Sequence, residues 1–330
     1  MPWRATPGEV PDPYRVWLSE IMLQQTTVAT VGPYFAKFLA RFPTVGALAT
    51  ADEDSVLQAW AGLGFYARAR NLHRCAQIVA ASGGFPNDLV GLRALPGIGD
   101  YTAAAVASIA FGIPVIPVDG NVERVASRIF AIDRPLPAAR AAIATAARTL
   151  GHDPAAIARP ADFTQALFDL GATICTPRTP ACALCPWRPH CAAQAAGIQA
   201  TLPVKAPKAV RPIRYGAHFW LESTTGDVLL RRRPSTGLLG GMLERPGTVW
   251  RPEPWPRPDA LAEAPQPADW HFAGTARHVF THFELLADVY RAGVDLITAP
   301  GLHRRVDSLG GEALPTVMRR CIEIAQKPAG

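Results

Sequence analysis

At 330 residues with 49% apolar side chains, the chain exceeds one ordinary small domain and has material for two packed cores. No stretch approaches the roughly 20 apolar residues of a membrane span, and the start lacks the basic flank and apolar run of an export signal, so neither is expected and a cytoplasmic setting is. The net charge of +6 permits a nucleic-acid partner without identifying one.

From about Pro13 to Gln194, apolar residues recur at three- and four-residue spacing. This predicts helices over residues 16–29, 56–60, 72–80, 102–110, 122–129, 138–150 and 163–170, with Gly and Pro punctuating between them. Residues 195–214 read as a Pro- and Lys-bearing linker. Beyond it the period shortens: residues 215–221, a Gly226-Asp227 turn and residues 228–230 predict a hairpin. Residues 246–267 hold seven prolines and read as irregular. Residues 270–272 and 278–291 read as strands, and 315–325 as a closing helix. The predicted organisation is a helical domain (1–194), a linker (195–214) and a smaller α+β domain (215–330).

Four of the six cysteines fall at Cys175-x6-Cys182-x2-Cys185-x5-Cys191. Four thiolates in one short loop can converge on one metal centre, either an iron–sulfur cluster or zinc. Disulfides do not suit a chain without an export signal. Arg178 and Arg188, lying between these ligands, are candidates for phosphate contact.

Leu95-Pro96-Gly97-Ile98-Gly99-Asp100 separates two helical stretches. Its glycines allow a tight turn with backbone N–H groups open at the next helix's N-terminus, a phosphate cradle, although a plain helix connection fits as well.

Glu20 sits inside an apolar helix. Its neighbours at helical spacing are Val16, Trp17, Leu23 and Gln24, none of them basic. An ionised carboxylate there is costly, so a raised pKa and a general-acid role follow unless the side chain reaches solvent. Asp119 follows an apolar run and precedes a helix, as either a helix N-cap or a second reacting carboxylate.

These segments together resemble the MutY adenine DNA glycosylases of the helix-hairpin-helix superfamily. The resemblance rests on Leu18-Ser19-Glu20-Ile21-Met22-Leu23-Gln24-Gln25-Thr26, Val118-Asp119-Gly120-Asn121-Val122, the Leu-Pro-Gly-Ile-Gly hairpin and the cysteine spacing. It implies a multidomain α + α/β-type fold: an all-helical glycosylase domain with an iron–sulfur loop, plus a smaller Nudix-like α+β domain. It implies one [4Fe-4S] cluster on Cys175, Cys182, Cys185 and Cys191. It also implies hydrolysis of the N-glycosidic bond of adenine opposite 8-oxoguanine or guanine in a flipped-out nucleotide, by a monomer on duplex DNA associated with the bacterial nucleoid.

In that family's terms Glu20 protonates adenine and Asp119 stabilises the sugar cation, with Tyr101 and Asn121 in support beside Asp119. Arg4 and Gln165 meet the extruded adenine. Gln25 and Phe65 fill the vacated stack, and Leu95, Gly97 and Gly99 hold the backbone. Tyr101 and Glu123 stand where strand-cutting or Schiff-base-forming relatives carry Lys, so the resemblance implies a monofunctional hydrolase.

In the second domain, residues 235–241 and 277–282 carry the match. The Glu-rich Mg²⁺-binding helix of Nudix pyrophosphatases is replaced by the Pro-rich stretch, so the domain is expected to bind the lesion, through Phe280, Thr281 and His282. Family members have a helix before the segment matching Pro2-Trp3-Arg4, so Arg4 is expected to be poorly held. Two other readings stay open: an endonuclease III-like pyrimidine glycosylase, and a non-catalytic iron–sulfur DNA-binding protein.

Overall fold

The computed structural model describes residues 1–6, 8–24, 26–207, 210–234, 237–312 and 314–327. The chain packs as two units, Met1–Leu63 with Ala67–Lys208, and Gly64–Tyr66 with Ala209–Gly330.

The helical elements run α1 (Pro13–Leu23), α2 (Val28–Arg41), α3 (Val45–Thr50), α4 (Glu53–Trp60), α5 (Tyr66–Ala81), α6 (Leu89–Ala94), α7 (Asp100–Phe111), α8 (Gly120–Ile129), α9 (Arg140–Thr149), α10 (Pro154–Ala158), α11 (Pro160–Asp169) and α12 (Ala192–Ala195). Asp12 caps α1 by accepting from the Tyr14 N–H, and Pro13 occupies the first turn, where its missing N–H costs nothing. Every residue from Val16 to Met22 is buried, so α1 is a core helix rather than an amphipathic surface one.

The apolar run over 16–29 is two helices, not one. Arg68 of α5 donates to the carbonyls of Ile21, Met22 and Gln24, ending α1, and the Thr27 hydroxyl caps α2. One apolar core gathers Trp17, Leu18, Met22, Phe35, Phe38, Trp60, Leu72 and Val106; a second gathers Val122, Val125, Ile143, Ala147 and Leu167 around α8, α9 and α11. A single π-helical turn, Leu170–Ile174, leads from α11 into the cysteine loop. Past α12, the stretch that reads as linker is strapped to the helices as far as residue 206. Leu202 is buried, and Leu136 donates to the Val204 carbonyl and accepts from the Ala206 N–H.

The second unit is a mixed sheet of β1 (Ile213–Ser223), β2 (Asp227–Arg232), β3 (Leu243–Glu244), β4 (His271–Val279), β5 (Glu284–Val294) and β6 (Leu302–Arg305), with helices α13 (Arg257–Ala262) and α14 (Thr316–Ala325). The strand order is β3-β2-β1-β5-β4, with β6 also on β2, and β1 runs parallel to β5. Strand β1 is buried on both faces. Ala217, Phe219 and Leu221 meet Ala260 of α13, while Trp220 belongs to the core that includes Val317, Met318, Cys321 and Ile322 of α14.

Two further sequence expectations are corrected. Residues 246–267 are not wholly irregular, since Pro258 enters α13 in its first turn, where proline is tolerated. Residues 278–291 do not form one strand, because 280–283 make the turn between β4 and β5, closed by the Phe280 N–H on the Phe283 carbonyl.

Candidate active site

One cavity of about 720 Å³ in the helical unit is lined by Arg4, Glu20, Tyr101, Asp119, Asn121 and Gln165, among others. Six residues scattered over 160 positions of sequence thus meet at one place. Its volume falls in the range of small-molecule sites.

Glu20 is 5% exposed. Burial lifts its pKa to about 7; the Tyr101 hydroxyl, donating to Glu20 Oε2 at 2.7 Å, works against that rise, Asp119 adds to it and Arg4 opposes it. Tyr101 was expected beside Asp119; it lines the same cavity, but its hydroxyl goes to Glu20. Burial and the neighbouring Glu20 push the phenol's own pKa up, so it stays a donor.

Asp119 is the N-cap of α8 and a cavity-lining carboxylate at once. Oδ1 accepts from the Asn121 and Val122 N–H groups at 2.9 and 2.7 Å, and Oδ2 from Asn121 Nδ2 at 3.0 Å. Burial raises its pKa, while these three donors and Arg124 hold the rise back. Glu20 has one hydrogen bond against stronger burial; Asp119 has three. The environments therefore separate two carboxyls of similar intrinsic acidity.

Arg4 is firmly held, contrary to expectation. Both arms of its guanidinium reach Asp169 at 2.7 Å, and Trp3 beside it packs edge-on against Phe35. Gln165 uses its amide on the Ala161 carbonyl.

Cys175, Cys182, Cys185 and Cys191 line one small cavity together with Arg128 and Arg188. Among the described residues, no three His, Cys, Asp or Glu side chains converge on a single metal ion. A multi-iron cluster asks for a wider spread, since its thiolates attach to different irons. Arg128, 1% exposed, donates to Cys175 Sγ at 3.2 Å and to the Thr176 and Pro177 carbonyls. Four sulfurs around one cavity, one of them accepting from a buried guanidinium, offer such a spread. The donor set therefore fits such a group.

Arg124, one turn before Arg128, ties Asn121 Oδ1 to the carbonyls of Gly171 and Cys175. Arg68, Arg124, Arg128 and Asp169 were not singled out from the sequence. Arg124 and Arg128 stand four residues apart and so on one face of α8, and that spacing is the sequence signal that points to these two.

In the hairpin, Leu95 and Ile98 are buried and Gly97 and Gly99 exposed. Only Gly97 has left-handed backbone, with φ +76°; Gly99 is an extended N-cap of α7 with no side-chain cap. Phe65 is 59% exposed and also has positive φ. Arg178 and Arg188 are exposed. Gln25 lies outside the described residues, as do Ser235 and Thr236. In the second unit Phe280 and Phe283 turn inward onto Trp250, at ring distances of 5.5 and 6.1 Å, leaving Thr281 and His282 exposed at the tip.

Residues 18–147 match the family of HhH-GPD superfamily base excision DNA repair proteins, and residues 217–324 match the NUDIX domain. The chain is similar to the adenine DNA glycosylase of Homo sapiens, 34% identical with 88% of this chain and 63% of the relative covered. It is likewise similar to that of Rattus norvegicus, 35% identical with 89% and 68% covered. It thus spans about two thirds of the length of these relatives. Among solved structures, a thermostable thymine-DNA glycosylase superposes with a TM-score of 0.51 and 28% identity, over 59% of this chain and 88% of its own. With a helical unit and a Nudix-like unit in the same order, and about a third of its residues shared with curated members over most of its length, the chain belongs to the adenine DNA glycosylase family.

Proposed function

We propose that the chain is a base-excision repair enzyme that hydrolyses the N-glycosidic bond of adenine paired with 8-oxoguanine. The observation that carries this reading is the pairing of Glu20, with a pKa raised to about 7, and Asp119, with three donors, in one cavity. N-glycoside cleavage needs a proton on the leaving base and negative charge facing the sugar cation.

Adenine must first leave the duplex stack, at a cost of a few kcal/mol. It enters the cavity against Arg4 and Gln165. Tyr101 holds Oε2 of Glu20, leaving Oε1 to carry the proton given to the base at N7. As the C–N bond lengthens, Asp119 faces the oxocarbenium-like sugar, directed there by Asn121 and the first N–H groups of α8. Acid catalysis of this kind supplies on the order of 10²–10⁴ in rate. Water adds to the sugar carbon from which the base has left and gives up a proton, which restores the acid. With Tyr101 and Glu123 at the two positions where lysines would act, the chain stops at hydrolysis.

Cys175, Cys182, Cys185 and Cys191 would hold one [4Fe-4S] cluster, which would cross-link the loop that presents Arg178 and Arg188 to phosphates. Gly97 and Gly99 offer N–H groups to the backbone, Gln25 and Phe65 fill the gap, and the tip Thr281-His282 reads the oxidised guanine. A hydroxyl can accept from the new N7–H of that lesion, which plain guanine lacks.

The test is single-turnover release of adenine from a duplex with one A opposite 8-oxoguanine, with duplexes bearing damaged pyrimidines alongside. Adenine release that Glu20→Gln abolishes supports the reading. Pyrimidine release, or binding without release of any base, overturns it. Stoichiometric zinc without iron after anaerobic preparation would overturn the cluster assignment.

A further inference from the structure

The ion pair between Arg4 and Asp169 joins the segment ahead of α1 to the last residue of α11, 165 positions away. Nη1 meets Oδ2 and Nη2 meets Oδ1, both at 2.7 Å, the two-armed arrangement that fixes the plane as well as the position of a guanidinium. The side chains are 26% and 45% exposed, so the pair itself contributes little to stability. Its significance lies in where it puts a positive charge. Arg4, Asp169 and Glu20 line the same cavity.

Each group that bears on the Glu20 carboxyl comes from a different element. Tyr101 of α7 donates a hydrogen bond, Asp119 at the start of α8 is a like charge, and Arg4 is the opposite charge. Of these, Arg4 alone sits on a long, rotatable side chain. Released from Asp169, it has Glu20 as a nearby carboxylate in the same cavity. A guanidinium in contact with Glu20 would favour the ionised form and deplete the acid.

We infer that Asp169 is a positioning residue: it holds both arms of Arg4 on the cavity wall and so keeps that cation off the Glu20 carboxyl. What Arg4 faces when substrate is bound rests on the adenine-glycosylase reading; the effect of Asp169 on Glu20 does not.

The test uses the full chain carrying Asp169→Asn, Asp169→Glu, Arg4→Gln, or Arg4→Gln with Asp169→Asn. Protonation of Glu20 is followed without DNA, from the infrared carboxylic-acid band that disappears when Glu20→Gln is added to each background. Adenine release from the A opposite 8-oxoguanine duplex is measured against pH in parallel. Asp169→Asn is expected to lower the Glu20 midpoint by about one unit, and with it to move the pH at which adenine release falls off down by the same amount. Asp169→Glu, which can still grip Arg4, keeps the midpoint. In the Arg4→Gln background, Asp169→Asn leaves the midpoint where it is.

An unmoved midpoint in Asp169→Asn overturns the inference. An equal drop with and without Arg4 also overturns it, since Asp169 would then act by its own charge. Asp169→Ser serves the same comparison if the Asn variant does not fold. Should the wild-type chain release no adenine, the functional reading fails, and the infrared midpoints still decide the role of Asp169.

Discussion

Glu20 shows how burial makes a single ionisable side chain costly to the fold. The unfolded chain loses this proton near 4.5, the native state near 7. Between those values the native state binds more protons, so stability falls as pH rises, and the full loss is present above about pH 7. The shift corresponds to roughly 3 kcal/mol at 1.36 kcal/mol per unit. Glu20→Gln should therefore match wild type in denaturant melts at pH 4.5 and exceed it at pH 8 by an amount of that order. A variant no more stable at pH 8 would mean that Glu20 ionises at its ordinary value.

Asp119 differs in that its structural and chemical duties can be separated. Asn caps a helix about as well as Asp, whereas Ala costs about 1 kcal/mol. Asp119→Asn is expected to keep the melting behaviour of wild type while losing excision, and Asp119→Ala to lose both. If Asp119→Asn still cleaves at near wild-type rate, Asp119 is a cap and nothing more.

Among the elements, the hairpin before α7 assigns different work to its two glycines. A Cβ on Gly97 would lie 2.9 Å from the Asn71 Cβ, on backbone that L-residues avoid, whereas a Cβ on Gly99 meets nothing within 4 Å. Gly97→Ala should destabilise the helical unit by about 1–2 kcal/mol. Gly99→Ala should leave stability nearly unchanged and weaken duplex affinity, because its methyl group stands where a phosphate would approach the open N–H groups. Equal melting temperatures for the two variants would contradict this division.

The β4–β5 turn divides its residues in the same manner. Phe280 and Phe283 pack inward, with Arg214 over the Phe283 ring and Arg233 over the Trp250 ring. Thr281 and His282 are left to the solvent. Thr281→Ala with His282→Ala should leave stability unchanged yet reduce the preference for A opposite 8-oxoguanine over A opposite guanine. One net hydrogen bond, at about 0.5–1.5 kcal/mol, corresponds to a two- to twelvefold loss. Thr281→Ser should retain the preference. Phe280→Ala, by contrast, should register as lost stability.

For the molecule as a whole, each unit holds one buried group whose shifted pKa bears on stability in the opposite sense to the other. His218 of β1 is fully buried, and burial, with Arg245 and Arg231 nearby, holds its pKa down to about 3. The unfolded chain takes up that proton near 6.5, so this contribution to stability is present above 6.5 and lost on acidification. Glu20 acts in the reverse direction in the helical unit. Amide exchange, corrected for intrinsic rates, should show protection of the sheet unit falling from pH 7 to pH 5 while that of the helical unit holds or rises. His218→Phe should flatten the former trend. Parallel trends in both units would refute the assignment.

The sequence alone determined what depends on local spacing. The helical period, the glycine-bearing hairpin, the cysteine spacing and the absence of a basic neighbour for Glu20 on its own apolar helix all follow from residues within a turn or a loop of each other, where backbone geometry fixes the outcome. The break of α1 at Gln24 was not legible there, because the arginine that ends the helix comes from α5, 44 positions away. Nor was the partner of Tyr101, 81 positions distant, or the capture of Arg4 by Asp169. Those bonds exist because packing brings side chains remote in sequence within 3 Å. The residue types and their intrinsic acidities were legible in the chain; which carboxyl keeps its proton, and which way the nearest cation points, was decided by burial and by partners that only the tertiary structure supplies.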